Sequence, residues 1–368
     1  MGGLKKYYFG VAKGPYPIID LHIGETYNTA VQLLFTVPFS KNTIVTYECY
    51  LDGIFYQKIN ASGEFLTGLI KNTSYNNRIV VLVVDNKGKK SKASNLINTS
   101  TANIDYSTYS DTAEANAYLS ASGISGTNAV NSSKLIIYHL IDKGLWSSIF
   151  ALYPFKGISS TQQKWNAKNP VDTDTAFRLV FAGSGTYSDD GFQTNGVNAC
   201  ADTKFVPLVN VTNINAFGLT LVSGTNNIPT INDCFEIGGT NTVQTGNRIA
   251  VRNRGGGSDR YYGAITGSYV VNNVFTPAYG VYTISKKSSS RTVFFKNARI
   301  DGINFGTPTN ALHNLSIYIG SEHPNGPIGF SNQRIQTTII HLGLTDGQII
   351  QLHEIINESE SLAGRKTW

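Results

Sequence analysis

Cysteine is scarce in this chain of 368 residues, which contains only Cys49, Cys200 and Cys234. The number is odd and no two of them have C-x-x-C spacing, so the sequence supports neither a disulfide framework nor a zinc site. We expect buried free thiols, which suit a protein that folds in a reducing cytoplasm. The sequence predicts no resident metal and no cofactor.

Long apolar runs are also missing. Residues 1–7 contain no apolar h-region of the kind that a signal peptide needs. No stretch approaches the roughly 20 apolar residues that span a bilayer. We therefore expect no membrane insertion, and we expect that the protein, if it works outside a cell, leaves by lysis or as part of a particle.

Charged residues make up only 15% of the chain, well below the usual proportion of about 25%. Glycine, asparagine, serine and threonine take their place, together with 20 Tyr and 18 Phe. Asparagine and glycine tolerate left-handed turn positions, and aromatic side chains pack well on pleated surfaces. This balance is typical of short strands joined by many turns, so we expect an all-β protein.

The formal net charge is +6, without the dense basic face or the recognisable motif of a nucleic-acid-binding protein. The lysines between Lys87 and Lys92 are explained by soluble hairpin tips and protected sheet edges. We therefore predict no nucleic-acid partner.

Residues 1–17 form a short basic segment that cannot bury much surface alone. It is either a frayed terminus or an anchor to a partner. The aromatic residues Tyr7, Tyr8 and Phe9 are costly to leave exposed, and they are our candidate anchor residues.

Residues 18–101 read as strands with turns between them, and Asp52-Gly53 is a strong hairpin signal. Thr67-Gly68-Leu69 precedes Tyr75, and residues 83–91 have the pattern V-x-D-x-x-G-x-x-S. In these features the segment resembles fibronectin type III domains, which are small Ig-like sandwiches. The resemblance implies that Tyr75 is a buried corner tyrosine whose hydroxyl bonds nearby backbone, and that Phe35 replaces the usual tryptophan.

Residues 102–150 predict a helical linker between two modules. Asp111-Thr112-Ala113-Glu114 has capping-box spacing, and Gly123 ends the first helix. A second helix is predicted from about Asn128 to Lys143, with Gly144 as its stop. His139 on its apolar face is predicted to be a packed structural histidine rather than a ligand.

Residues 151–368 return to strands with turn signals about every ten residues, as in sandwiches and jelly rolls. Thr345 and Gln348 predict a capped terminal helix. Several stretches resemble the concanavalin-like, laminin-G-like sandwiches of phage structural proteins: residues 195–203 as the first edge strand, 280–285 with 291–297 as a hairpin, 315–320 and 335–345 as closing strands, and 156–202 as the lead-in of phage fibre and head-decoration proteins. Ala298 stands where that family has glycine.

The resemblance implies a structural or adhesive subunit of a bacteriophage virion appendage, either a head fibre or a tail fibre. Such a protein is made in the host cytoplasm and is located on the exterior of the virion. Its partners would be capsid or tail proteins, further copies of itself, in a trimer rather than a dimer, and cell-surface or mucosal glycans bound by the lectin-like module. A secreted bacterial adhesin is disfavoured by the missing signal peptide.

The contrasting hypothesis is an enzyme, a capsule-degrading glycoside hydrolase on the same fold. Such an enzyme needs two carboxylates that flank the scissile bond. Glu236 and Glu322 are candidates, but no second acid follows Glu236 at a spacing of two or four residues. His353-Glu354 does not continue into the H-E-x-x-H zinc motif. We therefore predict a protein without catalytic residues.

Ser188-Asp189-Asp190-Gly191 is the best candidate for a calcium loop, although an ordinary solvated turn explains it better. The candidate glycan-binding or partner-binding residues surround a triple glycine and combine aromatic rings with planar polar groups. They are Arg252, Arg254, Asp259, Tyr261 and Tyr262. The alternative is that Tyr262 belongs to the core and that the arginines solvate a long hairpin.

Overall fold

The computed structural model describes residues 14–213, 215–227, 234–240, 249–252, 261–265, 268–272, 279–305, 312–322 and 329–365, with the backbone alone at residues 249, 252, 261, 262 and 268–272. The chain divides into two compact units, of which the first ends at Ile104 and the second begins at Asp105. Within the described residues, no helix is long and apolar enough to cross a membrane.

The first unit is a small β-sandwich. Its strands are β1 His22–Thr26, β2 Ala30–Leu34, β3 Ile44–Leu51, β4 Ile54–Ile59, β5 Phe65–Thr67 and β6 Ile79–Asp85. In the described part of this unit, one sheet has the order β1-β2-β5 and the other the order β4-β3-β6. The predicted turn joins β3 to β4, and Asp52 (φ 53°) and Gly53 (φ 79°) both adopt the left-handed conformation that a type I′ hairpin requires.

The predicted tyrosine corner is confirmed. The ring of Tyr75 is buried in the core of the first unit. Its hydroxyl oxygen accepts a hydrogen bond of 2.8 Å from the backbone N–H of Ile70. Phe35 occupies the same core, where its ring centroid lies 4.7 Å from that of Tyr47. An aromatic residue thus fills the place that the resemblance assigns to tryptophan.

The helices of the described residues all belong to the second unit. They are α1 Ala113–Ser122, α2 Thr127–Asp142, α3 Ser160–Gln163, α4 Pro207–Asn210 and α5 Asp346–Leu362. Thr112 caps α1 and Gly123 ends it at φ 64°, as predicted, while Thr345 and Gln348 form the predicted capping box of α5. The α1–α2 segment is not a free-standing linker, because Ser359 on α5 donates a 2.9 Å hydrogen bond to the carbonyl of Ser132 on α2.

The second unit is otherwise built from strands. They are β7 Ile149–Tyr153, β8 Val180–Ala182, β9 Thr186–Ser188, β10 Gly191–Gln193, β11 Cys200–Asp202, β12 Phe217–Ser223, β13 Ile237–Gly239, β14 Ile249–Arg252, β15 Tyr261–Ile265, β16 Ser268–Asn272, β17 Gly280–Ser288, β18 Arg291–Lys296, β19 Arg299–Asn304, β20 Tyr318–Ile319 and β21 Arg334–His341. One sheet of the described chain has the order β19-β18-β17-β12-β21-β10-β9, with β7 also beside β21, and the other has the order β16-β15-β14-β13-β20-β11-β8.

Side chains from both sheets form one core. Leu219 and Leu221 of the first sheet contribute to it together with Ile237, Val251 and Ile319 of the second. All-β architecture is therefore confirmed for the described chain, with helices added at the outside of a sandwich. His139 is buried as predicted, and its Nε2 lies 2.9 Å from the carbonyl oxygen of Tyr106. The three cysteines are buried and free, also as predicted.

Two local predictions were wrong. Cys200–Asp202, predicted as an edge strand, pairs with β20 on one side and with β8 on the other. Strand position depends on partners that are distant in sequence, which a local motif does not encode. The second is Asp301-Gly302, an Asp-Gly pair that predicts a turn by the same signal as Asp52-Gly53 but lies inside β19. The turn comes earlier, where Asn297 and Ala298 have φ angles of 52° and 59°.

A buried hydrogen-bond chain joins α5 to the face of the sheet that points away from the core. Nδ1 of His353 accepts a 2.8 Å hydrogen bond from the backbone N–H of Ala298. The other ring nitrogen, Nε2, therefore carries the proton, and it donates to the hydroxyl of Thr283 at 2.7 Å. Because Ala298 holds a positive φ angle, this contact also stabilises an unfavourable turn conformation.

The series of hydrogen bonds continues across the sheet to a second histidine, His341. The hydroxyl oxygens of Thr283 and Thr220 lie 2.6 Å apart, and that of Thr220 lies 3.1 Å from Nε2 of His341. Nδ1 of His341 lies 2.6 Å from the carbonyl oxygen of Leu342, which can only accept. Each donor in the series then has one acceptor, provided that both imidazoles are neutral.

The neutrality of these imidazoles predicts acid sensitivity of the second unit. Burial lowers the pKa of His341 to about 4 and that of His353 to about 3, from an ordinary value of 6.5. Below pH 6.5 the unfolded chain binds protons that the folded chain rejects, so the free energy of unfolding is greatest above this pH and falls as the pH is lowered. Between the folded and unfolded pKa values, each histidine lowers the free energy of unfolding by about 1.4 kcal/mol for each unit by which the pH falls.

Chemical denaturation between pH 7 and pH 5 measures this effect. In His353→Gln the pH dependence should be smaller by the contribution of one histidine. In His22→Gln, a control at an exposed histidine of the first unit, it should remain unchanged. The same pH slope in wild type and His353→Gln would contradict the assignment.

Candidate functional site

A shallow groove of about 250 Å³ lies beside β8, the edge strand of its sheet in the described chain. It is lined by Ser160, Thr161, Lys164, Arg178, Leu179, Val180 and Phe181. The groove therefore combines hydroxyl groups and cationic side chains with an apolar strip. Residues 157–165 and 172–181 are the two arms of the loop that forms it, and the backbone N–H of Leu179 in the second arm donates a 2.8 Å hydrogen bond to the carbonyl of Lys164 in the first.

Buried hydrogen bonds hold the two arms in place. The side chain of Asn166, 1% exposed, accepts a 3.0 Å hydrogen bond from the N–H of Leu152 and donates one of 3.0 Å to the carbonyl of Ala176. The hydroxyl of Tyr153 donates to the carbonyl of Phe177 at 2.6 Å. These hydrogen bonds connect Leu152 and Tyr153 of β7 with Ala176 and Phe177 of the second arm. The groove is therefore supported by a strand of the sandwich.

Ion pairs fix the polar groups of the groove. Arg178 donates from Nη1 to Asp172 at 2.9 Å and from Nε to Asp174 at 3.0 Å. Lys164 pairs with the second oxygen of Asp172. Its ammonium also lies 4.8 Å from the ring centroid of Trp165, whose indole N–H donates to the backbone. Exposed ion pairs add little to stability, but here they orient two cations and two carboxylates.

These charges favour binding rather than acid–base catalysis. The hydrogen bond from Lys164 lowers the pKa of Asp172, with that from Arg178 as the next cause. Asp174 and Asp172 in turn raise the pKa of Arg178. A glycosidase acid needs the opposite shift, a carboxyl pKa raised toward neutrality. The groove thus offers fixed donors and acceptors beside an apolar strip.

The residues predicted from sequence as a glycan patch lie mostly outside this description. Arg254 and Asp259 are outside the described residues. Arg252 and Tyr262 are paired across β14 and β15, and Tyr261 begins β15, but their side chains are also outside the description. The anchor residues Tyr7, Tyr8 and Phe9 lie outside it as well. These predictions therefore remain predictions.

The two candidate glutamates are inaccessible. Glu236 and Glu322 are both 0% exposed. Glu236 accepts a hydrogen bond of 3.3 Å from the hydroxyl of Ser331, and its carbonyl accepts one from Gly320. A polysaccharide in solution cannot contact either carboxylate in this conformation.

The candidate calcium loop has protein partners on both aspartates. Asp189 accepts a 2.8 Å hydrogen bond from the N–H of Gly157, and Asp190 lies 3.3 Å from Arg334. No group of three potential metal-ligating His, Cys, Asp or Glu side chains is found in the part of the chain that the structure describes. Asp189 also borders a second concavity of about 410 Å³ at the start of α2, where its charge complements the helix N-terminus.

Sequence inspection missed the groove residues, although a signal was present. Asp174 and Arg178 have the i,i+4 spacing at which opposite charges meet on a helical turn. Lys164 and Trp165 are neighbours in the sequence. The spatial approach of these two pairs depends on Asn166 and could not be inferred from either pair alone.

No protein-family model matches the chain, and no curated protein matches it. Solved structures give only weak similarities. Domain 4 of AbnA, a GH43 extracellular arabinanase from Geobacillus stearothermophilus, solved with arabinotriose, is 15% identical over 56% of this chain and 98% of that chain, with a TM-score of 0.41. A human fibronectin type-III domain is 17% identical over 25% of this chain and 89% of that chain, with a TM-score of 0.22.

A family 28 exopolygalacturonase from Yersinia enterocolitica is 18% identical over 24% of this chain and 21% of that chain, with a TM-score of 0.22. This chain thus matches about a fifth of the length of that enzyme. The TM-scores are low, and no conclusion on function follows from these similarities.

The role of Asn166 in shaping the groove can be tested. In Asn166→Ala the N–H of Leu152 and the carbonyl of Ala176 lose their partner, and the free energy of unfolding should fall by about 2 kcal/mol or more. Chemical denaturation measures this change. Asn169→Ala, at an exposed residue of the same loop, should alter stability by less than about 0.5 kcal/mol. Equal effects of the two substitutions would contradict the role given to Asn166.

Proposed function

We propose that this protein is a non-catalytic adhesion protein that binds saccharides in the groove beside β8. The observation that carries the proposal is a pair of cations that line the groove beside an apolar strip, Lys164 and Arg178. Ion pairs with the neighbouring exposed carboxylates of Asp172 and Asp174 hold both cations in place. The first unit, with its fibronectin type III-like pattern, would act as a spacer.

The chemistry of a sugar fits this array. Each hydroxyl group of a saccharide both donates and accepts hydrogen bonds, so its binding site needs carboxylate oxygens and N–H groups side by side. Arg178 and Asp172 supply both within 2.9 Å of one another. Because the ion pairs already hold these side chains, binding requires little further ordering. Val180, 39% exposed, and Phe181 offer an apolar surface for the C–H groups of the ring.

We further propose that the protein works as a subunit of a bacteriophage virion appendage, anchored through its N-terminal part to capsid or tail proteins. The support is the resemblance to phage structural sandwiches of residues 156–202, 195–203, 280–285, 291–297, 315–320 and 335–345. Several copies, in a trimer for example, would strengthen contacts with host-surface glycans that are weak individually. The proposed location is the exterior of the virion.

The alternative function, a capsule-degrading hydrolase, has less support. Glu236 and Glu322 are buried, and hydrogen bonds from the groove residues Lys164 and Arg178 lower the pKa of Asp172. Within the groove, no observation on the described residues favours catalysis over binding.

Glycan-array binding of the whole chain tests the proposal. Loss of a hydrogen bond to a charged group costs about 1.5–3 kcal/mol, so Arg178→Ala should weaken saccharide binding by about tenfold or more. The matched control is Arg78→Ala, because Arg78 forms a similarly exposed pair with Asp52 in the first unit. This control should bind as the wild type does.

A degradation assay on the bound polysaccharide runs in parallel. Binding that depends on Arg178 without cleavage supports the proposal. Equal binding by wild type and Arg178→Ala, or no binding at all, would contradict the groove as the site, and cleavage would contradict the non-catalytic function.

A further inference from the structure

The charges in the groove point to one class of saccharide. Two cations line it, Lys164 and Arg178, and two carboxylates paired with them, Asp172 and Asp174, balance their charge. We propose that the groove is selective for neutral saccharides over anionic ones. This inference rests on the proposed function and concerns the same site.

An anionic sugar would have to compete with Asp172. This carboxylate receives hydrogen bonds from both Lys164 and Arg178 and is about half exposed. A sugar carboxylate that approached either cation would lie close to Asp172, and the two negative charges would repel each other. To bond Lys164 or Arg178, the sugar carboxylate would also have to displace Asp172, so the net gain in binding free energy would be small.

A neutral sugar adds contacts without displacing any. Arg178 donates hydrogen bonds from Nε to Asp174 and from Nη1 to Asp172. Its Nη2 can then donate to a hydroxyl oxygen of the sugar. The carboxylate of Asp172, hydrogen-bonded to both groove cations, has lone pairs for the hydroxyl proton. The hydroxyl groups of Ser160 and Thr161 line the groove itself. The ion pairs would remain intact in the complex.

Charge neutrality also predicts how binding responds to salt. A neutral ligand has no charge for salt to screen, so its affinity should be nearly independent of ionic strength. A polyanion held by two cations should lose affinity about sevenfold when salt rises fourfold, if each contact contributes a slope of about 0.7. The two classes of ligand are therefore distinguishable without a structure of the complex.

Binding of the whole chain to neutral polysaccharides (dextran, mannan, galactan and arabinan) and to polygalacturonate, each at 50 and 200 mM salt, tests the inference. The diagnostic variant is Asp172→Asn, which gives the groove an excess positive charge and removes one charged acceptor. It should weaken binding of the neutral polymer about tenfold and strengthen that of polygalacturonate. The matched control Asp52→Asn alters a similarly exposed, arginine-paired aspartate of the first unit and should change neither.

Neutral-polymer binding that is insensitive to salt and reduced by Asp172→Asn supports the inference. Preference for polygalacturonate, with a steep salt dependence and loss in Arg178→Ala, would overturn it and leave the proposed function standing. If neither class binds, or if binding is the same in Arg178→Ala, both the inference and the proposed function fail.

Discussion

The guanidinium of Arg365, buried beyond the end of α5, is the contact on which the arrangement of the second unit depends. It donates to the carbonyl of Asp189 at 2.8 Å, to that of Gln336 at 2.8 Å and to that of Phe155 at 2.6 Å. Its charge is matched by Glu360 at 3.0 Å. One side chain thus joins the segment after α5 to β21, to Phe155 just after β7 and to the turn before β10. Removing such a buried partner would leave several carbonyl groups and one carboxylate unsatisfied.

The groove depends indirectly on this contact. Gly157, two residues after Phe155, donates its N–H to the carboxylate of Asp189. Arg365 bonds the carbonyl groups of Phe155 and Asp189, so it holds the backbone near both partners of this hydrogen bond. The first arm of the groove begins at this point, and Asn166 then ties the second arm to β7. A rigid sandwich therefore supports a loop in which charged groups are held apart from the core but do not need to be ordered by the ligand.

Local rules predicted much of the fold. The capping box of Thr345 and the corner position of Tyr75 follow from spacing along one short segment, and both are found as expected. The sandwich class follows from composition and turn frequency. In contrast, the place of Cys200–Asp202 within its sheet depends on strands far away in the sequence. The groove escaped prediction for the same reason, because Asn166 assembles it from both arms of a loop.

The most direct test of saccharide binding in the groove is an ¹H–¹⁵N spectrum of the whole chain during titration with the polysaccharide that binds best. The indole N–H of Trp165 donates to the carbonyl of the groove residue Thr161, and its ring lies beside the groove residue Lys164, so it should shift progressively with added ligand. That of Trp146, whose ring lies beneath Lys168, a lysine that is not among the groove residues, should stay in place. A shift of Trp146 alone, or bound ligand without a shift of Trp165, would contradict the account.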